Sequence, residues 1–128
     1  MIKILLLMIF CHIIDDFVLQ TKFSFLKQKS WWEKGCKENG LNFDQYKHDY
    51  KIALFEHSLE WSIAIMLPSM FLMNLPSYFL IGTVIFNTAI HYIVDNEKAN
   101  KLTINLVIDQ FIHLCQVGMT WAIMYLFI

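Results

Sequence analysis

Histidine and aspartate recur four residues apart in three apolar stretches of this chain of 128 residues. The three pairs are His12 with Asp16, His91 with Asp95, and Asp109 with His113. Residues four apart lie on one face of a helix, with their Cβ atoms about 5–6 Å apart. An imidazole and a carboxylate placed in this way can bind one divalent metal ion or line a narrow polar cavity.

The stretches that carry these pairs have the length and composition of membrane-spanning helices. The chain is 57% hydrophobic and 16% charged, and its mean hydropathy is positive. A helix needs about 20 residues to cross about 30 Å of hydrocarbon. Four blocks meet or approach this length: residues 2–19, 52–73, 78–95 and 102–128. We therefore predict an all-α fold, an integral membrane four-helix bundle in one domain over residues 1–128, with a polar loop at 21–51.

The first block has the start of a signal peptide, because Lys3 precedes the run ILLLMIF. No small-x-small cleavage site follows, and two aspartates come where cleavage would be expected. We therefore interpret this block as a retained first helix. The net charge of −1 gives no electrostatic argument for nucleic-acid binding. The three cysteines show no paired framework, which argues against a disulfide-stapled secreted domain.

The positions of the lysines predict the orientation in the membrane. All ten basic residues are lysines, and seven of them lie in the 21–51 loop. Lys98 and Lys101 lie between the third and fourth blocks, whereas Lys3 alone belongs to the opposite side. The positive-inside rule places the lysine-rich loops in the cytoplasm and both termini outside, in an inner or plasma membrane. Trp31 and Trp32 suit the membrane interface.

This orientation brings the polar pairs to one depth. The first and third spans run inward and read His-x-x-x-Asp, whereas the fourth runs outward and reads Asp-x-x-x-His. In all three spans the aspartate is thus nearer the cytoplasm and the histidine about one turn deeper. His57 on the second span falls at a compatible depth. An aspartate near the bilayer centre costs about 2.5–3.5 kcal/mol, which a shared site would offset.

The sequence therefore predicts one metal site in the cytoplasmic half of the membrane. Its expected ligands are His12, Asp16, His57, His91, Asp95, Asp109 and His113. Asp16, Asp95 and Asp109 are also the candidate catalytic carboxylates, and Glu60, Asn87 and Asn105 are expected to support the ligands. Asp15 projects away from the paired faces. Mixed imidazole and carboxylate donors suit zinc best, with manganese, iron or nickel as alternatives, in one or two ions.

The motifs also resemble a known family. HIIDDFVLQTKF, the lone His57 that opens the second span, HYIVD and DQFIH occur in the order found in domain-of-unknown-function family 3307. This is an uncharacterised family of small membrane proteins of bacteria and phages. The resemblance covers nearly the whole chain and is weakest at 31–50. It implies a membrane protein and supports the site residues, but it names no reaction.

Three functions remain open at this point. The leading hypothesis is a metal-dependent hydrolase in which metal-activated water attacks a membrane-associated substrate, such as an anionic or phosphate-bearing lipid. The second is a proton or metal-ion transporter or channel component, which would need a homo-oligomer because no polar track reaches the outer half. The third is a non-catalytic phage or bacterial membrane factor that binds host proteins. A metal-free polar network is the alternative interpretation of the site itself.

Overall fold

The computed structural model describes residues 2–21 and 23–126. Within these ranges the chain is helical and contains no strand, which confirms the prediction of an all-α fold. The six α-helices are α1 (Ile2–Ile14), α2 (Phe23–Leu26), α3 (Lys29–Glu38), α4 (Asp49–Leu72), α5 (Ser77–Asn96) and α6 (Leu106–Tyr125). Two π-helices continue α1 and α5, at Asp15–Leu19 and Glu97–Lys101, and a 3-10 turn lies at Phe43–Gln45.

The four long helices pack side by side around a common interior. α1 contacts α4 and α6, and α5 contacts the same two helices. α6 begins at Leu106 because the Asn105 side chain caps it, accepting a hydrogen bond of 3.0 Å from the amide of Ile108. The predicted start of this helix at 102 was therefore wrong, and residues 127–128 of the predicted span lie outside the described residues.

Residues 21–51 do not form the predicted loop. They contain α2, α3 and the 3-10 turn. Trp32 holds this segment together, because its indole N–H donates a hydrogen bond of 2.7 Å to the carbonyl of Leu26 and its ring stacks on Tyr46. On α3 the lysines pair with glutamates four residues further along, at Lys29–Glu33 and Lys34–Glu38. Such pairs stabilise a solvent-exposed helix, which is how a polar sequence folds here without a large core.

The two lysine-rich connections meet through Asn100. Its side-chain oxygen accepts a hydrogen bond of 2.8 Å from the amide of Lys29, and its side-chain nitrogen donates one of 3.1 Å to the carbonyl of Lys27. The segment before α4 and the end of α5 are thus at the same end of the long helices. The prediction of membrane orientation requires this arrangement of the connections.

The distribution of polar and apolar side chains between interior and surface is the reverse of that in a water-soluble domain. Among the described residues, fifteen buried side chains are polar or charged and eleven are hydrophobic, whereas 32 large hydrophobic side chains are exposed. Two helical stretches, Ser77–Lys101 and Leu106–Tyr125, are long and apolar enough to cross a membrane. α1 has only 13 residues, about 20 Å. In α4, Glu56, His57 and Glu60 lower the hydropathy. The two candidate spans are weak evidence by themselves, and four spans stay a prediction.

Candidate metal centre

Four histidines, one from each long helix, converge in the interior. The ring centres of His57 and His91 are 5.1 Å apart, those of His91 and His113 are 4.1 Å apart, and those of His12 and His113 are 6.0 Å apart. Each of the four side chains is at most 1% exposed. The helices therefore bring to one point the imidazoles that the sequence places up to about a hundred residues apart.

One group of donor atoms has the spacing of metal ligands. Nε2 of His57 lies 3.2 Å from Nε2 of His91, 3.5 Å from Oδ2 of Asp95 and 3.6 Å from Oδ1 of Asp16. Nε2 of His91 lies 3.7 Å from the same Asp95 oxygen. Ligands that surround zinc tetrahedrally are about 3.3 Å apart, because each is about 2.0–2.1 Å from the ion. Donor atoms of Asp16, His57 and His91 all lie within 4.8 Å of one another, and Asp95 adjoins this group through His57 and His91. Asp16, His57, His91 and Asp95 are called here the inner cage.

A second group shares two of these residues. His91, Asp95 and His113 offer donor atoms that all lie within 4.8 Å of one another. Nε2 of His113 is 3.3 Å from Oδ1 of Asp95 and 3.3 Å from Oδ1 of Asp109. The two oxygens of Asp95 thus face different groups. One carboxylate so placed can bridge two ions, so the donor set has room for either one ion or two.

The charges of this region also fit a divalent cation. Four carboxylates are at most 5% exposed and belong to Asp15, Asp16, Asp95 and Asp109. Two lysines pair with them, Lys27 with Asp95 at 2.5 Å and Lys98 with Asp109 at 2.6 Å. Among the described residues, the carboxylates of Asp15 and Asp16 have no lysine partner. A cation in the inner cage would neutralise Asp16.

Unsatisfied polar atoms are concentrated in the same place. Buried polar groups are ordinarily hydrogen-bonded, so a cluster of exceptions needs a cause. The buried atoms without a hydrogen-bond partner include oxygens of Asp15, Asp16 and Asp109 and the Nδ1 atoms of His57, His91 and His113. The oxygens of Asp16 and Asp109 face imidazole nitrogens at 3.6 and 3.3 Å. A cation in the inner cage would satisfy the Asp16 oxygen, because that oxygen faces the same Nε2 atom of His57 as the other donors do.

Trp61 closes the cluster on its apolar side. Its indole N–H donates a hydrogen bond of 2.9 Å to Nδ1 of His12, and its ring stacks on His91 with the centres 4.3 Å apart. Beyond it lies an apolar layer formed with Trp61 by Ile4, Met8, Ile65, Met66, Val117 and Met124. The histidines and aspartates of the interior therefore lie toward the end of the helices where the lysine-rich segments are, and the buried polar side chains on the other side, including Asn87, Gln116 and Thr120, are uncharged.

His12 stands apart from both donor groups. Its Nδ1 accepts the Trp61 hydrogen bond, and neither group of donor atoms includes it. The same atom lies 3.7 Å from Oδ2 of Asp16. These contacts give His12 a role in holding Trp61 and Asp16, and its assignment as a ligand stays a prediction.

The structure gives other positions or hydrogen-bond partners to the three residues expected to support the ligands. Asn105 is exposed and caps α6, and Glu60 is exposed beside α1. Asn87 is buried, but its side-chain oxygen accepts hydrogen bonds from Gln116 at 2.8 Å and Thr120 at 3.1 Å. It therefore joins α5 to α6 rather than orienting a histidine. The expectation failed because spacing along one helix does not reveal which neighbouring helix a side chain meets.

The role of Asn87 predicts a purely structural effect. Replacing it with alanine is expected to lower the free energy of unfolding by about 1–3 kcal/mol, because the Gln116 amide loses one of its two acceptors and the Thr120 hydroxyl loses its acceptor on Asn87. Metal content should stay at the wild-type level, as neither donor group includes Asn87. Denaturant unfolding and metal analysis of the same preparation test both parts. Loss of metal from a folded Asn87→Ala protein would contradict this assignment.

Several residues of the site were missed or set aside at the sequence level. Lys27 is 4% exposed and pairs with Asp95, although nothing distinguishes it among the seven lysines of its segment. The side-chain nitrogen of Gln20 lies 2.8 Å from Nε2 of His57, the atom that faces the inner cage, so Gln20 would have to turn aside for this atom to bind a metal ion. Gln110 donates hydrogen bonds to Asp16 at 2.8 Å and to Asp109 at 3.1 Å. Glutamines near helix ends are usually solvated, so nothing in the sequence indicated that these two glutamines contact the site.

Asp15 was expected to project away from the site, yet it is 1% exposed. It follows the buried His12 by three residues, a spacing that keeps both on one face of a helix. It also begins the π-helix, which is closed by the hydrogen bond of 3.0 Å from the amide of Gln20 to the carbonyl of Asp15. Oδ2 of Asp15 consequently lies 3.9 Å from Nδ1 of His57, on the side of the ring opposite the inner cage.

Fold and site together define an all-α protein with buried histidine and aspartate clusters that could hold a metal ion. No protein-family model matches the chain, and no curated protein or solved structure is similar enough to it to count as a relative. The resemblance to family 3307 therefore stays an expectation from the motifs alone.

Proposed function

We propose that this chain is an integral membrane protein with four spans, with its lysine-rich segments in the cytoplasm and both termini outside. The proposal is supported by the apolar exterior and polar interior of the long helices. It is further supported by the contact of the two lysine-rich segments at one end through Asn100. Retention of the chain in membranes washed with alkaline carbonate is the expected result, and its release into the wash would contradict it.

The proposed activity is metal-dependent hydrolysis of a membrane-associated substrate. The observation that carries it is the inner cage, in which the measured separations between donor atoms run from 3.2 to 3.7 Å. Zinc is the favoured ion, since two imidazoles and two carboxylates match its donor preference. When bound in such a site, a divalent metal supplies an activated water and polarises the substrate.

The remaining residues have roles that follow from their positions. Asp109 lies outside the inner cage, and its Oδ1 has no hydrogen-bond partner, so it is the carboxylate available as a general base. Lys27 and Lys98 bring two ammonium groups to the cytoplasmic end of the cluster. These suit an anionic or phosphate-bearing lipid substrate. Because the site residues are nearly fully buried, the segment that carries Lys27 must move to admit a substrate.

The test separates metal binding from turnover. Protein purified in detergent should contain zinc near or above one equivalent and should release phosphate or headgroup from an anionic phospholipid. Asp109→Asn should keep the metal while losing about 10²–10⁴-fold in turnover, the usual contribution of a general base. Metal content at background in the wild-type protein would overturn the proposal. Equal turnover in wild type and Asp109→Asn would show that Asp109 is not the general base.

Conduction through one copy of the chain is less well supported. Beyond Trp61 the interior contains an apolar layer and uncharged polar side chains such as Asn87 and Gln116, and it contains no buried histidine or carboxylate among the described residues. A proton or metal-ion path would need a second copy of the chain to complete it. Metal flux into liposomes without any lipid turnover would favour that alternative.

A further inference from the structure

A groove of about 470 Å³ runs between the first π-helix and α4, outside the metal centre. Glu56 and Glu60 lie on its wall one helical turn apart, both exposed, and Asp15 lies at its floor. The other residues that line it are apolar: Leu19, Leu59, Ile63, Ala64 and Leu67. Two exposed carboxylates and the buried Asp15 thus border a small space with walls of low polarity, where electrostatic attraction for a cation is strong.

Asp15 is the observation that points to a ligand. It is 1% exposed, and neither of its carboxylate oxygens has a hydrogen-bond partner. Its Oδ2 is 3.9 Å from Nδ1 of His57, which is beyond hydrogen-bond distance. An ionised carboxylate buried in this way is costly unless it is paired or coordinates a cation.

The two glutamates add to this unbalanced charge. Within residues 2–21 and 23–126, no lysine forms an ion pair with Glu56 or Glu60. Glu60 lies about 16 Å along α4 from Asp49, which begins the helix. In a membrane protein, carboxylates at such a depth face a partner or a water-filled cavity.

We propose that this groove binds a hydrated divalent cation, held by Glu56 and Glu60 with Asp15 at its floor. The donors are all oxygens, so the groove suits hard cations such as Mn²⁺, Mg²⁺ or Ca²⁺. The inner cage differs because two of its donors are imidazole nitrogens, which suit zinc. The groove site lies on the Asp15 side of His57, and the inner cage lies on the other. This second cation site goes beyond the proposed hydrolase.

The experiment loads the protein with Zn²⁺, removes the excess and then titrates Mn²⁺, following free Mn²⁺ by electron paramagnetic resonance. Wild type is expected to bind one Mn²⁺ in addition to its zinc. The double variant Glu56→Gln/Glu60→Gln should bind Mn²⁺ about tenfold or more weakly, because carboxylate count sets the affinity of oxygen-ligand sites. The matched control is Glu33→Gln/Glu38→Gln, which removes two exposed glutamates from α3. It should bind Mn²⁺ as wild type does.

The possible results of the Mn²⁺ titration distinguish the groove site from the metal centre. Mn²⁺ binding that is equal in wild type and in the groove variant overturns the groove site, whatever the zinc content. Absence of any Mn²⁺ binding by zinc-loaded wild type also overturns it. Loss of zinc in His91→Ala together with retained Mn²⁺ binding supports two independent sites. Both groove substitutions are at exposed positions, and an unchanged unfolding midpoint confirms that the variant folds.

Discussion

Replacing His91 with alanine is expected to weaken zinc binding by more than about a hundredfold. His91 belongs to both groups of donor atoms, and its Nε2 lies 3.2 Å from that of His57 and 3.7 Å from Asp95. Loss of a residue that merely orients a ligand typically costs 10–100-fold in metal affinity, so loss of a ligand should cost more. Zinc content of the purified protein and competition with a chelator measure the effect.

The stability of the same variant gives an independent measurement. Zinc that binds only the folded protein should raise the free energy of unfolding of the wild type, by about 2.7 kcal/mol at a hundred times its dissociation constant. His91→Ala should show no such increase at the same zinc concentration. His48→Ala is the control, because His48 is exposed and lies at the start of α4, away from the cluster. Equal zinc stabilisation of wild type and His91→Ala would refute the inner cage.

Replacing Lys27 with methionine is expected to produce the other large effect. The ammonium of Lys27 is 2.5 Å from Oδ2 of Asp95, and both side chains are nearly fully buried. Removing one partner of a buried ion pair typically costs about 3–5 kcal/mol, because the other charge is left uncompensated. Methionine keeps much of the length of the side chain, so the loss reflects the charge rather than the volume.

Whether this loss of stability depends on bound metal tests the inner cage. A divalent cation in the inner cage would compensate Asp95, so the deficit of Lys27→Met should shrink when zinc is present. Unfolding of wild type and variant with and without zinc measures the difference. Lys34→Met is the control, since Lys34 is exposed and pairs only with Glu38, which is also exposed. A deficit of equal size in both conditions would mean that no cation reaches Asp95.

The long helices could be predicted because their signals are local. Apolar composition over about 20 residues predicts α5 and α6, and the spacing of four residues predicts that histidine and aspartate share a face. The prediction of helix geometry failed where the chain departs from a regular α-helix. The chain continues past Ile14 as a π-helix at Asp15–Leu19, and the Asn105 cap delays the start of α6. Neither change alters the hydrophobic pattern from which the helices were predicted.

The folding of residues 21–51 was missed for a different reason. The segment is polar, and its lysines suggested a solvated loop. Its order comes from contacts that cross the sequence, such as Trp32 with Leu26 and Asn100 with Lys27 and Lys29. These contacts carry Lys27 into the interior, which no pattern of residue types in the segment indicates.

The sequence by itself determined that this chain is helical, that its long helices are largely apolar, and that histidine and aspartate share one face in three of them. These properties follow from the helical period and from the cost of isolated charge in an apolar segment. The tertiary structure alone decided that Asp16, His57, His91 and Asp95 form one cage, that His12 holds Trp61, and that Lys27 pairs with Asp95. The reason is physical: distances between donor atoms depend on how four helices pack, and packing joins residues that are distant in the chain.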